Sequence, residues 1–367
     1  MTWIAVVTGG VLIAAVVVDV WLTILHPDAE GPVAGAVRRL VWQVSALAAR
    51  WRRQPRRTLL VWAGPLLVTV TFLAWIVPLV LGVALLVWPF LDGFNRVAGY
   101  GPIGFEDAVY FAAGTLTVLG YGDITPDTPA QKILAVCVGA LGFALFAALA
   151  TYLIELITGL TVRNGFALAV HDQVHGTDGA GLIARSLATE GVDAARQRCA
   201  QWAQSLRAVD DTVRRYPLVA LTYRPSRPDY DIEPALEHVA EATVAALLAA
   251  GCAPWRGLGP RAEELAYALL RAQDTIARRY LGDRSPPEPP SVGGGRSEHD
   301  VDRVVAQLHR RLVAELGDRF DRPVAVDGLA RDVLLRSILF FSGLRSWAVP
   351  GVSLRAVTHP VGRHGSM

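Results

Sequence analysis

The sequence contains few of the residues on which several common kinds of site depend. Of its 367 residues only three are cysteines, and Cys137, Cys199 and Cys252 lie far apart along the chain. This spacing fits neither a disulfide framework nor a zinc site, so we expect buried, reduced thiols. Lysine occurs once, as Lys132, and the formal net charge is only +2, so the charge gives no argument for a nucleic-acid partner.

Motifs for enzymatic chemistry and for nucleotide binding are also missing from the sequence. It contains no nucleophile motif, and the glycines of residues 176–181 do not follow the Gly-X-Gly-X-X-Gly order of a dinucleotide site. His171 and His175 are four residues apart and would share a helix face, as metal ligands can, but the spacing offers no third ligand. The sequence therefore predicts solvated histidines, no enzyme and no cofactor.

Long apolar segments are present, and they are concentrated before residue 160. Residues 3–24 and 59–90 are each long enough to span a bilayer, and a third apolar segment covers residues 132–160. The first has no basic start and no small-residue cleavage site, so we expect a retained helix rather than a signal peptide. Asp19 lies inside it and is a functional candidate because a carboxylate is costly there; alternatively, it is neutral or hydrogen-bonded to another helix.

An arginine-rich segment, residues 27–57, separates the first two apolar segments. It carries seven arginines against two acidic residues, with apolar residues at helical spacing between them: Val37, Leu40, Val41, Val44, Leu47 and Trp51. This pattern predicts an amphipathic helix in the headgroup layer, with a solvated connecting helix as the alternative. Because short arginine-rich loops stay cytoplasmic, we expect a multi-pass protein of the cell membrane with its N-terminus outside and its C-terminal part in the cytoplasm.

The most specific motif is Thr-Leu-Thr-Val-Leu-Gly-Tyr-Gly-Asp at residues 115–123, between a helical run at 105–116 and the third apolar segment. Gly120 and Gly122 tolerate positive φ, so successive carbonyl groups can point the same way. At membrane depth such backbone occurs where it lines a water-filled cavity. Carbonyl rings from four such loops replace the hydration shell of a potassium ion. This order of parts resembles the pore of the potassium channel superfamily.

The resemblance covers about residues 89–160, and it implies a homotetramer with one filter loop from each chain. The implied selectivity filter is Thr117, Val118, Leu119, Gly120, Tyr121, Gly122 and Asp123. Potassium would be bound by the backbone carbonyls of Val118, Leu119, Gly120 and Tyr121. The residues matching positions that support the filter are Tyr110, Phe111 and Thr115. Val118 departs from the threonine whose oxygens frame the innermost ion site in the family, which puts that site in doubt.

Two further features of the third apolar segment follow from the same resemblance. Gly142 lies where the family has a gating-hinge glycine, and close helix packing is the alternative explanation. Below it, the candidates for an inner gate that closes by dewetting are Phe143, Phe146, Leu153 and Ile157. No spanning segment carries arginine at every third position, so a voltage sensor is not expected.

After residue 160 the sequence resembles that of a soluble helical protein. It predicts helices at residues 182–190, 193–216, 233–250, 261–280, 299–320 and 326–346. Residues 283–298 are rich in proline, glycine and serine, which indicates a flexible linker. Nothing in this part of the sequence indicates its regulatory ligand.

The expected fold is therefore an all-α membrane protein with three transmembrane helices, a re-entrant pore helix with its filter, and an all-α cytoplasmic domain. The expected domains are residues 1–58, 59–160 and 161–367. The resemblance implies a potassium-selective channel in a lipid bilayer, with K⁺ as the permeant ion. The alternatives are a weakly selective cation channel and a membrane-anchored sensor whose pore conducts poorly.

Overall fold

A computed structural model describes residues 2–26, 31–51, 62–97, 104–216, 218–223, 225, 227–280, 295–320 and 328–347. The chain divides into two compact units, one made of residues 1–48 and 59–158, the other of residues 49–58 and 159–367. The described residues are almost entirely helical, as predicted. Their two strands, β1 (Asn95–Arg96) and β2 (Ile124–Thr125), form one short antiparallel pair that the sequence did not predict.

Among the described residues, five helices contribute to the first unit. They are α1 (Thr2–Val20, continued by a π-helical turn, Trp21–Leu25), α2 (Pro32–Trp51), α3 (Ala63–Val87, continued by a 3₁₀ turn, Trp88–Gly93), α4 (Phe105–Leu116) and the first part of α5 (Pro129–Gln173). Three of these helical stretches, Thr2–Ile24, Ala63–Gly93 and Pro129–Gln173, are long and apolar enough to cross a membrane. The bounds of α4 are those predicted, and α5 continues beyond residue 160, where the third apolar segment of the sequence ends.

Glycine lets α1 and α3 cross at close range. A Cβ atom on Gly9 would lie 2.5 Å from the carbonyl oxygen of Gly82, and one on Gly82 would lie 3.0 Å from the carbonyl oxygen of Gly9. Helices inside a membrane gain no hydrophobic free energy by leaving lipid, so close backbone approach through small residues is a main source of their packing energy. This crossing holds α1 against α3.

Asp19 is buried where α1, α2 and α3 meet, with only 1% of its surface exposed. Its Oδ1 accepts a hydrogen bond from the Val33 amide at 2.7 Å, and its Oδ2 accepts from the Trp75 indole Nε1 at 2.7 Å and from the Ala34 amide at 3.3 Å. Of the two predictions for Asp19, the structure therefore favours a carboxylate hydrogen-bonded to another helix. The cost of burying it is offset because both of its oxygens accept N–H donors.

One face of α5 is buried in the protein along its first part. The buried residues follow a spacing of three and four that keeps them on one side of the helix: Val138, Gly142, Leu149, Tyr152 and Leu156. Val138 and Leu149 belong to the core that also contains Trp75, Val83 and Phe111. This face determines which side of α5 remains open for other contacts.

Among the described residues, the second unit contains the ends of α2 and α5 and seven further helices. These are α6 (Gly179–Arg185, continued by a π-helical turn, Ser186–Glu190), α7 (Val192–Arg215), α8 (Leu218–Leu221), α9 (Ile232–Ala250), α10 (Gly259–Tyr280), α11 (Gly295–Leu316) and α12 (Gly328–Trp347). Short 3₁₀ turns lie at Pro228–Tyr230, Ala253–Leu258 and Gly317–Phe320. The six predicted helices are all present. Alanine-rich α9 is the most deeply buried of these helices. Its residues in the apolar core of this unit include Val239, Ala242 and Ala246.

Three sequence predictions need correction here. Helix α11 begins at Gly295, so the last residues of the predicted linker 283–298 are helical; residues 283–294 lie outside the described part of the chain. Helix α5 ends at Gln173, so His175 lies in the following turn and does not share a helix face with His171. Cys199 and Cys252 are buried as expected, but Cys137 is exposed on the single chain.

Candidate functional site

The candidate site is the loop of residues 117–123, which starts where helix α4 ends. The Val118 amide donates to the Thr115 carbonyl at 3.1 Å, and the Leu119 amide donates to the Gly114 carbonyl at 2.9 Å. The Thr117 hydroxyl donates to the Ala113 carbonyl at 2.7 Å. These bonds use carbonyl groups that the last turn of a helix leaves without intrahelical partners, and they fix the start of the loop on the helix end.

Along this loop, residues with positive φ alternate with residues that do not have positive φ. Val118, Gly120 and Gly122 have φ values of 59°, 57° and 82°, and the residues between them do not have positive φ. Alternation of this kind turns successive peptide groups so that consecutive carbonyl oxygens can line the same side of the chain. The sequence predicted the two glycines from this requirement, but it gave no signal for the same conformation at Val118.

Val118 is the one described residue other than glycine with a positive φ. For a β-branched residue this conformation is a genuine outlier. Strained backbone of this kind costs on the order of 1–3 kcal/mol and persists where the surrounding structure determines it, which is typical of functional sites. The loop therefore keeps the alternating backbone even where the side chain opposes it.

Two tyrosines and an aspartate lie together at the C-terminal end of the loop. The Tyr110 hydroxyl of α4 donates to Asp123 Oδ2 at 2.8 Å. The rings of Tyr110 and Tyr121 are stacked, with centroids 5.9 Å apart and an interplanar angle of 13°. Tyr110 thus contacts two residues of the loop through two different kinds of interaction. Its predicted role as filter support stays a prediction, and these contacts are its physical basis.

The strand pair continues this bracing beyond Asp123. The Val97 amide donates to the Asp123 carbonyl at 3.2 Å, and Arg96 pairs with Ile124 in the β1–β2 register. Asn95 Nδ2 donates to Asp127 Oδ1 at 2.9 Å. The loop is therefore held at both ends, by the helix before it and by the segment that follows α3. This pairing was not evident from the sequence because each strand has only two residues.

Phe111 faces a different environment from Tyr110, although both were predicted to support the filter. Its ring packs edge-on against Phe94 with centroids 5.1 Å apart, within the apolar core of the first unit. Thr115 contributes its carbonyl oxygen to the Val118 amide. A contact between Phe111 and the loop is not among those we observe in the described residues, so its predicted role stays a prediction.

Gly142 of α5 lies directly against the end of α4. A Cβ atom at this position would overlap the Leu116 carbonyl oxygen and would lie 2.7 Å from the Leu116 carbonyl carbon. By contrast, a Cβ on Gly139, one turn earlier, would be 3.7 Å from the Thr115 carbonyl oxygen, an ordinary contact distance. The close-packing explanation for Gly142 thus has a direct structural basis. The hinge role stays a prediction.

The predicted inner-gate residues lie on an open side of α5. Phe143, Phe146, Leu153 and Ile157 follow a spacing that keeps them on one face of the helix, and all four are exposed in the single chain. Phe146 is the most exposed of them, at 71%. Large apolar side chains in this position need lipid or another protein surface around them. Their grouping agrees with a gate but does not test it.

The ligands that this loop could provide for a cation are backbone atoms rather than side chains. The described residues contain no group of three or more histidine, cysteine, aspartate or glutamate side chains that could hold a metal. Any cation bound within residues 118–121 would instead depend on backbone carbonyl oxygens, the type of ligand that replaces the hydration shell of potassium in a filter.

A family of known proteins matches the part of the chain that contains this loop. Residues 66–159 match the family described as "Ion channel". That range runs from helix α3 through the loop to the middle of α5.

In residues 66–159 this chain is similar to ion channels.

The relatives differ in how much of the chain they match. The uncharacterized membrane protein YdjJ of Bacillus subtilis is 24% identical over 179 residues, which cover 48% of this chain and 51% of the relative. Two-pore potassium channel 1 of Arabidopsis thaliana is 36% identical over 73 residues, 19% of this chain and 20% of its own length. Two pore potassium channel c of Oryza sativa (japonica) is 41% identical over 54 residues, 14% and 12% respectively.

The chain thus spans about half the length of the bacterial relative and far less of either plant channel. The family match ends at residue 159, at the boundary between the two units. No solved structure matches this chain. The family match therefore leaves residues 160–367 outside it.

Proposed function

We propose that this protein is a potassium-selective channel, a passive ion transporter rather than an enzyme, in which four copies of the pore module surround one ion path. The observation that carries the proposal is the alternating backbone at Val118, Gly120 and Gly122, held between the end of α4 and the β1–β2 pair. One filter loop per chain and a fourfold ion path require a homotetramer. The permeant ion is K⁺, with carbonyl oxygens of residues 118–121 as its ligands.

The selectivity is tested with purified protein reconstituted in a planar bilayer. In a gradient of KCl against NaCl, a potassium-selective pore gives a reversal potential close to the potassium equilibrium potential. A reversal potential near zero indicates a pore that does not distinguish the two cations. Absence of current from a correctly assembled tetramer contradicts the channel proposal and favours a membrane-anchored sensor.

A second candidate, a weakly selective cation channel, has one specific observation in its favour. Val118 occupies the position where the family usually has threonine, and valine provides no hydroxyl oxygen for the innermost ion site. Its strained backbone, with φ of 59°, is a further difference from the glycine positions. The same reversal-potential measurement distinguishes this candidate from the first.

The assembly has its own test. Mass measurement of the protein released intact from detergent is expected to give four times the 39.5 kDa chain mass. The exposed apolar face of α5 at Phe143 and Phe146 supports the assembly, because such a surface needs a partner or lipid. Monomers or dimers alone would contradict the homotetramer.

We propose the cell membrane as the location, with the N-terminus outside and the second unit in the cytoplasm. The arginine excess of residues 27–57 supports this orientation, because positively charged short loops stay inside. A protease added to intact cells is then expected to leave the second unit uncut. Cutting of the second unit in intact cells would reverse the orientation.

The second unit is a candidate gating domain. Helix α5 runs without interruption from Pro129 to Gln173 and so has residues in both units. Within the second unit, Arg163 of this helix is buried and donates to the Val219 and Tyr223 carbonyl oxygens at 2.8 and 2.6 Å. A ligand of this unit opens the pore only if it binds the open and closed arrangements with different affinities.

Truncation after Arg163 tests the gating role. The shortened chain is expected to assemble and to open with an altered probability, which single-channel recording measures. Unchanged open probability across pH, metal and nucleotide conditions would leave the second unit without a gating role and would favour a contribution to assembly.

A further inference from the structure

Helix α2 has two faces with different surroundings. Ala34, Val37 and Val41, which share one face, are buried in the protein. The opposite face is exposed along two turns and consists of Ala36, Arg39, Leu40, Gln43 and Val44. Leu40 and Val44 are 56% and 53% exposed in the single chain, so this face combines large apolar side chains with the guanidinium of Arg39.

The position of α2 in the chain limits what can cover this face. It connects α1 with α3, and both of these belong to stretches that are long and apolar enough to cross a membrane. Because the first turn of α2 is hydrogen-bonded to Asp19, near the end of the first of these stretches, α2 starts close to the membrane surface. Apolar side chains that enter the acyl boundary, beside arginines at headgroup level, are the pattern of a helix that binds an anionic lipid surface.

Asp19 attaches this helix to the rest of the first unit. Pro32 begins α2, so the Val33 and Ala34 amides belong to its first turn, where N–H groups lack intrahelical acceptors. Both amides donate to the Asp19 carboxylate of α1, at 2.7 and 3.3 Å. A negative charge at the start of a helix is also favoured by the helix dipole.

The same carboxylate reaches the pore module. Its Oδ2 accepts from the Trp75 indole Nε1 at 2.7 Å, and Trp75 lies in α3, within the matched range 66–159, with no exposed surface. Gly31 completes the junction: its amide donates to the Thr23 hydroxyl at 3.0 Å, and a Cβ on it would lie 2.5 Å from Asp19 Cγ. A single buried side chain therefore connects α1, the start of α2 and α3.

We infer that the exposed face of α2, centred on Arg39, Leu40 and Val44, binds anionic phospholipid headgroups, and that Asp19 and Trp75 couple this binding to the pore module. In this arrangement lipid contact on α2 changes the restraint on α3 through the three hydrogen bonds that Val33, Ala34 and Trp75 donate to one carboxylate. The binding part stands on the geometry of α2. The coupling part rests on the proposed channel function, because its readout is ion flux.

Lipid binding is measured without any use of conduction. The full-length protein is placed in nanodiscs of phosphatidylcholine with and without phosphatidylglycerol, and hydrogen–deuterium exchange is followed in residues 32–44. Anionic lipid is expected to slow exchange in this segment. Because one arginine near an anionic surface is worth about a five-fold change in affinity, Arg39→Gln is expected to raise the phosphatidylglycerol concentration needed by about that factor.

Arg271→Gln is the matched control, because Arg271 is an exposed arginine of α10 in the second unit and the substitution makes the same charge change. It is expected to leave the exchange of residues 32–44 unaffected. Equal protection in both lipid compositions for the unmodified protein contradicts the lipid inference. Subunit crosslinking through Val44→Cys in place of lipid protection would identify the face as a contact between copies.

The coupling is tested with Trp75→Phe, which removes the indole donor and keeps an aromatic ring. The variant is expected to retain the lipid-dependent exchange of residues 32–44 and to lose the dependence of K⁺ flux on phosphatidylglycerol. Asp19→Asn, which places an N–H₂ among N–H donors, is expected to lose both. Flux in Trp75→Phe that responds to phosphatidylglycerol as in the unmodified protein overturns the coupling.

These readouts separate the inference from the proposed function. If no variant conducts in either lipid composition, the channel proposal fails and the exchange data still decide whether α2 binds anionic lipid. If the protein conducts and lipid composition changes neither flux nor exchange, the inference fails and the channel proposal stands.

Discussion

The two units of this chain differ in how many large apolar side chains they expose. In the first unit, large apolar residues of α5 such as Ile133, Val136 and Phe146 are well exposed, and a buried carboxylate, Asp19, lies in the interior. In the described part of the second unit, Tyr267 and Val313 are the exposed large apolar residues, and charged side chains pair at the surface. The two units of one chain thus differ in which kinds of side chain are buried and which are exposed.

The difference follows from what surrounds each unit. A soluble helical domain buries its apolar stripes because water is its solvent, and the stripes of α7 and α10 in the second unit pack against its core in this way. A membrane unit gains nothing from hiding apolar surface from lipid. Its interior is determined by small residues, close backbone contacts and satisfied polar groups. The exposed apolar faces of the first unit are then surfaces for lipid or neighbouring copies.

The largest effect is expected from a substitution of Gly122 in the loop of the first unit. Its φ of 82° lies in the left-handed region, where a residue with a Cβ atom costs about 1–2 kcal/mol. In a tetramer the cost is incurred four times around one ion path. Gly122→Ala is expected to abolish potassium selectivity or conduction, as measured by reversal potential and current in planar bilayers.

Gly114→Ala is the control for that substitution. Gly114 lies in helix α4 close to the loop, and an added Cβ there meets nothing within 4 Å in the chain. Selectivity is expected to remain in this variant. An unchanged preference for potassium over sodium in Gly122→Ala would contradict the assignment of the carbonyl path to this backbone.

The sequence was sufficient for the helices and for the loop motif, but not for the contacts between them. Apolar runs and the glycine motif predicted α4 with its observed bounds, because these signals are local. The overlap that a Cβ on Gly142 would have with Leu116 depends on how two helices cross, which no local pattern contains. The left-handed conformation of Val118 was missed for a similar reason, since it opposes the intrinsic preference of valine.

Asp19 and His175 show the same limit in the two units. The cost of a carboxylate in an apolar helix identified Asp19 as unusual, but its donors come from residues 14, 15 and 56 positions away in sequence. His175 was placed on a helix that ends two residues before it. Helix ends are the least predictable feature of a periodic pattern, because they depend on caps and tertiary contacts.

Gly142 provides the next test, since it distinguishes close packing from a hinge. Gly142→Ala would drive a Cβ into the Leu116 carbonyl, so α5 or α4 must shift, and overpacking of this kind costs about 1–3 kcal/mol. We expect a lower melting temperature of the assembled protein in detergent. A variant that melts normally but shows altered open probability favours the hinge.

Gly139→Ala is the matched substitution one turn earlier on the same helix. Its Cβ would lie 3.7 Å from the Thr115 carbonyl oxygen, an ordinary contact. In a helix interior alanine is favoured over glycine by about 0.5–1 kcal/mol, so this variant is expected to melt at the same or a higher temperature. Equal destabilisation by both substitutions would show that Gly142 has no special contact.

Val118→Thr is expected to change permeation with little effect on stability. Threonine is β-branched like valine and so preserves the shape, while it adds a hydroxyl oxygen at the innermost ion site. We expect an altered single-channel conductance or sensitivity to barium block. Identical permeation in Val118→Thr and the unmodified protein would mean that this side chain does not contribute to the ion path.

The smallest expected effect concerns an ion pair on the second unit, where charge lies at the surface. Glu264 of α10 accepts hydrogen bonds from Arg207 of α7 at 2.6 Å and from Arg261 at 2.5 Å, and these bonds lower the pKa of its carboxyl group. Since the pKa is lower in the folded state, the pair stabilises the unit above the unfolded pKa of about 4.3. That contribution is lost as the pH falls through the folded value.

Glu264→Gln is therefore expected to lower the free energy of unfolding at pH 7 by no more than about 1 kcal/mol, because the pair is partly exposed and screened by water. The difference between variant and unmodified protein is expected to vanish as the pH falls below the folded pKa, where the carboxyl group is protonated. Hydrogen exchange of α7 and α10 amides as a function of pH measures this difference.

Asp193→Asn is the control, because it breaks the exposed pair of Asp193 with Arg196 within one helix. It is expected to change the exchange less, because this pair does not join two helices. A pH-independent difference for Glu264→Gln would show that packing, not charge, holds α7 to α10 at this point.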